Sequence, residues 1–146
     1  MKNISTGDKV FVDASAFIAL YNRNDSCHGK AVLISRELAE KEVTLAVAYE
    51  VVLETATVLR RKIGLRAAAD FLHHIQSGVF LILSVDEAVR RRAEDIFLKR
   101  KKPKDLGLFD CLYFSLMETY EIHHAFSFDS HFTKSGIKCL SLDKRI

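Results

Sequence analysis

The stretch KVFVDASAFIALYN, residues 9–22, changes its period at a single residue. Lys9 to Val12 is a run of β-branched and aromatic residues that reads as a strand, Asp13 ends it, and Ala14 onward reads as a short helix. A strand that hands over directly to a helix is the repeating unit of an α/β fold, and the alternation continues outward from this point. DSCHGKAVLISRELAEK (25–41) predicts a helix with Asp25 or Ser26 as N-cap and with Cys27, Ala31, Ile34 and Leu38 on one face. VTLAV (43–47) is a second strand, followed from about Ala48 to Arg61 by a helix whose buried stripe is Ala48, Val52, Ala56 and Leu59. Gly64 and Gly78 bracket a helix carrying Leu65, Ala68, Leu72 and Ile75, and VFLILSV (79–85) reads as a fully buried strand. Asp86 caps the next helix, with Val89, Ala93, Ile96 and Phe97 inward. DCLYFSLMETY (110–120) is apolar nearly all round, as a helix buried between layers should be. HAFSF (124–128) and IKCLSL (137–142) supply two last strands. The expected architecture is α/β: a three-layer α/β/α sandwich around a central, mostly parallel sheet of about five strands. Residues 1–146 form one domain on this reading, without repeats or low-complexity segments.

Composition narrows the class. A chain of 146 residues with 49% apolar content has enough material for one core and too little for two ordinary ones. A charged fraction of 28% and a single Pro describe an ordered globule. Cys27, Cys111 and Cys139 are odd in number and share no metal-ligand spacing, which points to reduced thiols. MKNISTG at the start lacks the apolar stretch of a signal peptide, and no apolar run reaches the roughly 18 residues that span a bilayer. A cytoplasmic protein without membrane association is expected. The net charge of +3 is unevenly spread: Arg90 to Lys104 holds eight Lys or Arg against two acids, and KRKKPK (99–104) is basic at five of six positions. Such a run is either a solvated loop or a rim that attracts phosphates.

The acids fall in a pattern. VFVD and FSFD are strands that end on Asp13 and Asp129, Asp110 opens the buried helix, and Glu50 and Glu54 share a helix face one turn apart. Each has a local explanation: Asp13 as a helix cap, Asp110 as an N-cap with Phe109 and Phe114 as a hydrophobic staple, Asp129 in an Asx turn, Glu54 as a solvated side chain. In open α/β sheets, however, ligands bind beyond the carboxyl ends of the strands. Carboxylates converging there repel, and a hard divalent cation with oxygen ligands, Mg²⁺ or Mn²⁺, relieves the repulsion. Zinc is disfavoured, because no Cys and His residues fall at ligand spacing.

In order and context these segments resemble the PIN-domain ribonucleases, and among them the toxin half of VapBC-type toxin–antitoxin pairs. FVDASAFIAL resembles the family's opening strand with its first acid, NDSCHGKA the entry to the long second helix, and LETATVLRRKIG the segment carrying the helical Glu, which selects Glu54 over Glu50. LGLFDCLYFSLM resembles the helix that opens on the third acid, and AFSFDSHFTKSGIKCL the strand that ends on the fourth. The resemblance implies an endoribonuclease holding Mg²⁺ or Mn²⁺ on Asp13, Glu54, Asp110 and Asp129, with Ser15 orienting a carboxylate or a water. It also implies a homodimer and a cognate antitoxin. The chain departs from the pattern at Phe109, where relatives often carry a small or hydroxyl side chain, and at Ser130, where they often carry a basic one. Apart from the resemblance, Lys99, Arg100, Lys101, Lys102 and Lys104, with Lys134, read as an electropositive lip for RNA.

Phosphodiester hydrolysis requires positive charge at an anionic phosphate and an activated water, and carboxylate-held metal supplies both. No Ser elbow, Cys–His couple or phosphate-cradling Gly loop competes for the role. His28 and His131 are the histidines that fall within these segments; His28 reads as a capping or packing residue, and His131, two residues past Asp129, is not assigned a catalytic role. Three other readings stand beside the nuclease. A non-catalytic PIN-like module would bind RNA or a partner without cutting it. A phosphoryl-accepting receiver would need an acidic pair where FVDAS has one Asp. A flap-type DNA nuclease would need extra helices for which the chain has no room.

Overall fold

A computed structural model describes residues 4–140. Within them the elements follow in the order β1 (Lys9–Val12), α1 (Ala14–Tyr21), α2 (His28–Glu40), β2 (Thr44–Ala48), α3 (Tyr49–Lys62), α4 (Leu65–Gln76), β3 (Leu81–Leu83), α5 (Glu87–Lys99), α6 (Leu108–Thr119), β4 (His124–Phe126), α7 (Ser130–Lys134) and β5 (Lys138–Cys139). The strands form one five-stranded sheet in the order β3-β2-β1-β4-β5, every pair parallel. The chain first winds one way from β1 through β2 to β3, then crosses back to lay β4 on the other side of β1. The winding therefore reverses between β1 and β4, which is where an open α/β sheet leaves a crevice at its carboxyl edge. Register across that boundary pairs Val10 with His124, Phe11 with Ala125 and Val12 with Phe126, and the Asp13 N–H extends it by donating to the Phe126 carbonyl at 3.0 Å.

Alternation along β1 sends side chains to both faces of the sheet. Phe11 packs against Tyr113 of α6 and Phe132 of α7, with ring centroids at 5.5 and 6.0 Å. Val12 faces Phe17, Leu20 and Leu38 of α1 and α2. Phe17 in turn meets Phe71 and Phe80 edge-on, with centroids at 5.0 and 5.6 Å. These two layers of helix over one parallel sheet are the α/β/α sandwich expected from the sequence.

Several local expectations are corrected. VFLILSV is not a buried central strand: only Leu81–Leu83 pair, at the sheet edge against β2, and Val79, Leu81 and Ile82 are exposed. Apolar composition identifies a strand but not its rank in the sheet. The second helix begins at His28, because the Asp25 carboxylate accepts the Cys27 N–H at 2.8 Å and closes a turn ahead of it. In α4 Ala68 and Phe71 are buried and Leu72 and Ile75 pack half-buried against the core, while Leu65 in the first turn is 63% exposed. Phe97, one position round the helix from buried Ile96, is also exposed. The N-cap of α6 is Gly107, not Asp110, and Phe109 is 64% exposed, so no Phe109–Phe114 staple forms. Asp86 caps α5 as expected, accepting the Val89 N–H at 2.9 Å. Ser141 and Leu142 of the last expected strand lie outside the described residues.

Candidate active site

Asp13 leaves β1 at the reversal point and caps α1, and it is only 6% exposed. Its Oδ2 accepts the hydroxyls of Ser15 at 2.7 Å and Ser127 at 3.0 Å, along with the Ser15 N–H at 3.4 Å. Ser15 Oγ in turn accepts the Phe128 N–H at 2.9 Å, and Ser127 Oγ accepts the Asp129 N–H at 3.0 Å. The two serines thus lace the ends of β1 and β4 together around one carboxylate. Asp129 caps α7 with Oδ1 on the His131 N–H at 2.9 Å. Asp110 sits in the first turn of α6, its Oδ2 accepting the Gly107 N–H at 3.0 Å. A side chain at Gly107 would crowd that contact, since a Cβ there falls 3.2 Å from Asp110 Oδ2.

Asp13, Ser15, Asp110 and Asp129 line one pocket of about 210 Å³ with Ala14, Ile18, Glu54, Phe109 and Tyr113. Asp13, Asp110 and Asp129 share a logic: one oxygen is anchored by protein donors, and the other carries no hydrogen bond among the described residues. Glu54, from α3, reaches the same pocket with no side-chain partner among the described residues. Glu50, one turn earlier, is not among the lining residues, although its buried Oε2 lacks a partner.

Burial first, and charge repulsion at Glu54 and Asp110, raise the proton affinities. Burial raises the Asp13 carboxyl above the ordinary range, against the pull of the Ser15 and Ser127 hydroxyls. Glu54, although an exposed residue overall, is raised as well, by partial desolvation of its carboxyl and by the charges of Asp13, Asp110 and Asp129. Asp110 is raised by burial and by Asp129, with the Gly107 N–H opposing. A carboxyl whose native pKa lies above its unfolded value stabilises the fold fully below that unfolded value, near pH 4, and loses the contribution as pH climbs through the raised native value. In chelator, the melting temperature is therefore expected to fall as pH rises from about 4 towards neutrality. Asp13→Asn should flatten the slope; an unchanged slope in a calorimetric pH series would contradict the shared-charge picture.

An all-oxygen donor set of mutually repelling carboxylates, each with a free oxygen, fits a hard divalent cation. His131 adds a nitrogen beside it. Its Nδ1 lies 3.0 Å from Asp129 Oδ1 and 3.5 Å from Asp110 Oδ2, and its Nε2 faces Asp105 Oδ1 at 3.3 Å. One ligand atom each from Asp110, Asp129 and His131 falls within 4.8 Å of the others. Burial works against charging this imidazole, but the three carboxylates outweigh it and raise its pKa.

The basic residues divide. Lys99 pairs with Asp95 at 3.0 Å, and the Arg100 guanidinium lies 5.6 Å from the Phe114 ring centre and donates to Ser135 Oγ. Both line a separate cavity of about 570 Å³ that shares no lining residue with the acid pocket. Lys101, Lys102 and Lys104 are exposed on the loop that leads to Asp105 and Gly107, and Lys134 contributes positive charge at Asp105. Sequence reasoning missed Ser127 and Tyr113. Ser127 stands two residues before Asp129 in an extended run, hence on the same side, and Tyr113 stands three residues after Asp110, hence on the same helix face.

A sequence model of the PIN domain matches residues 10–138. The 23S rRNA-specific endonuclease VapC20 of Mycobacterium tuberculosis is 31% identical over 127 residues, covering 87% of this chain and 94% of that protein. The crystal structure of Mycobacterium tuberculosis VapC20, a Sarcin-Ricin loop cleaving toxin, superimposes with a TM-score of 0.81 at 27% identity, over 91% of this chain and 99% of that one. VapBC2 from Rickettsia felis, solved bound to a DNA fragment from its promoter, shares the fold at 11% identity with a TM-score of 0.69, over 90% and 97% of the two chains.

Proposed function

Because the chain belongs to the PIN-domain family, we propose that it is a VapC-type toxin: an endoribonuclease that hydrolyses phosphodiester bonds of a structured RNA with the help of Mg²⁺ or Mn²⁺. The observation that carries the reading is the pocket at the strand reversal, where three aspartates from three parts of the chain each keep one oxygen uncommitted and Glu54 joins them from a fourth. Ribosomal RNA is the substrate class favoured by the likeness to VapC20.

In this reading Asp13, Asp110 and Asp129 would hold the ion, and Glu54 would face it from α3 through a water. Bound there, the ion would supply the Lewis acidity that activates a water and offsets charge on the phosphate. Ser15 and Ser127 keep Asp13 in one rotamer, so that its free oxygen faces the pocket. Glu54, raised in proton affinity and unpaired, is the carboxylate suited to take a proton from the attacking water. Lys101, Lys102, Lys104 and Lys134 attract the RNA backbone to the loop beside Asp105, with Lys99 and Arg100 on a more distant stretch of the strand. A cognate antitoxin, a homodimer and a cytoplasmic setting belong to the same proposal; among the described residues no helix is long and apolar enough to cross a membrane.

The test is incubation of the purified protein with structured RNAs, including fragments of 23S rRNA, in Mg²⁺, in Mn²⁺ and in chelator. Discrete cleavage with either ion is expected, falling to background in chelator and returning when Mn²⁺ is restored. Binding without cleavage under every condition would sink the enzyme reading in favour of an RNA-binding module.

A further inference from the structure

Tyr113 is the one polar residue in the pocket that the chemistry above leaves idle. It is 3% exposed, yet its hydroxyl has no hydrogen-bond partner among the described residues. The ring is held between Phe11, at 5.5 Å, and Phe109, at 6.4 Å, and the residue lines the pocket together with Asp13, Glu54, Asp110 and Asp129. Burying a hydroxyl without a partner costs its full desolvation, so an orphan of this kind calls for an occupant. The surroundings specify which sort. Every other polar side chain lining the pocket is a carboxylate, except Ser15, whose proton is already given to Asp13. Tyr113 therefore offers the uncommitted donor on a wall of acceptors. Burial, followed by the charges of Glu54, Asp13, Glu50 and Asp110, holds the phenol far above its usual range, so the hydroxyl keeps its proton and has that proton to give.

We propose that Tyr113 is a positioning residue for the divalent ion: its hydroxyl donates to a water lodged on the pocket floor between the phenol and the ion, fixing that water and, through it, the shell that Glu54 completes. The phenol touches neither RNA nor the reacting phosphate. The hydroxyl also explains why a tyrosine, and not a smooth aromatic, occupies this turn of an otherwise apolar helix. The inference rests on the reading of the pocket as a cation site.

The experiment compares wild type, Tyr113→Phe and Asp13→Asn by Mn²⁺ titration, reading free Mn²⁺ by electron paramagnetic resonance and melting temperature with and without the ion. Losing an outer partner of this kind weakens metal affinity by about 10- to 100-fold, so Tyr113→Phe is expected to bind Mn²⁺ at least about tenfold more weakly than wild type. Its melting temperature without the ion should equal or exceed that of wild type, because the orphan hydroxyl is gone. In cleavage assays kcat should fall with KM for RNA unchanged. Equal Mn²⁺ affinity in wild type and Tyr113→Phe overturns the inference while leaving the cation site intact. A lower melting temperature without the ion, at unchanged affinity, overturns it in favour of a purely structural hydroxyl. If wild type binds no Mn²⁺, or binds it no better than Asp13→Asn, the cation reading falls and this inference with it.

Discussion

Asp13→Asn is expected to slow RNA cleavage by about a thousandfold or more and, in the absence of divalent ions, to raise the melting temperature. The two effects share one cause. Asp13 is the most buried of the four acids, and burial is the largest influence on its proton affinity. Asparagine has the same shape, caps a helix as well as aspartate does, and keeps an oxygen for the Ser15 and Ser127 hydroxyls, but it carries no charge to desolvate. Relief of about 1 kcal/mol corresponds to a rise of about 2–4 °C for a chain of this size. The same loss of charge removes one of the groups proposed to hold the ion. Lewis-acid stabilisation of several kcal/mol, at about 1.4 kcal/mol per tenfold in rate, gives the thousandfold figure. Calorimetry in chelator and single-turnover cleavage in Mn²⁺ check the two halves. A variant that is both inactive and less stable would show that the carboxylate serves the fold first, and the separation argued here would fail.

Phe132→Ala should cost about 3–5 kcal/mol, the usual range for removing a buried aromatic, and lower the melting temperature by about 10 °C or more. α7 has five residues, far too few for a helix to persist on its own. Phe132 is the buried residue of that helix and the bolt that fixes it, its ring centroid 6.0 Å from Phe11 and 5.4 Å from Phe114. Asp129 and His131 flank the bolt. Cleavage should therefore fall with stability, although no atom proposed to hold the ion is altered. Phe132→Leu, which refills most of the volume, should recover most of both. A melting temperature within about 2 °C of wild type for Phe132→Ala would mean that α7 is held by something else.

What the sequence made legible follows from where its patterns change. Asp13 and Asp129 could be found because strand periodicity stops on each, and the handover to helix after Asp13 and after Ala48 is what defines a parallel α/β sheet. Asp110 lines the pocket but its local role differs from the expected N-cap: it caps α6 from inside the first turn, by accepting the Gly107 N–H. VFLILSV misled because hydrophobicity does not distinguish an edge strand from a central one. Ser127 and Tyr113 were invisible as site residues because their relevance depends on partners brought alongside by topology: Ser127 meets Asp13 across 114 positions of chain. The KRKKPK run shows the converse. Its composition is uniform, but the fold sends Lys99 and Arg100 to one cavity and the remaining lysines along the loop towards another.

The lacing of β1 to β4 has a consequence for how the protein is made. The Phe128 N–H and Ser15 Oγ are joined across 113 positions, and Asp13 has its second serine only once residue 127 is in place. A growing chain has made Asp13, Glu54 and Asp110 by residue 110, but the serine lacing that ties Asp13 to β4 forms only once residues 127 and 128 are in place. A fragment that stops short of residue 127 keeps the Asp13–Ser15 hydrogen bond but lacks both links between β1 and β4. The pocket is therefore closed late, when the segment from Ser127 to Asp129 joins a strand made more than a hundred residues earlier.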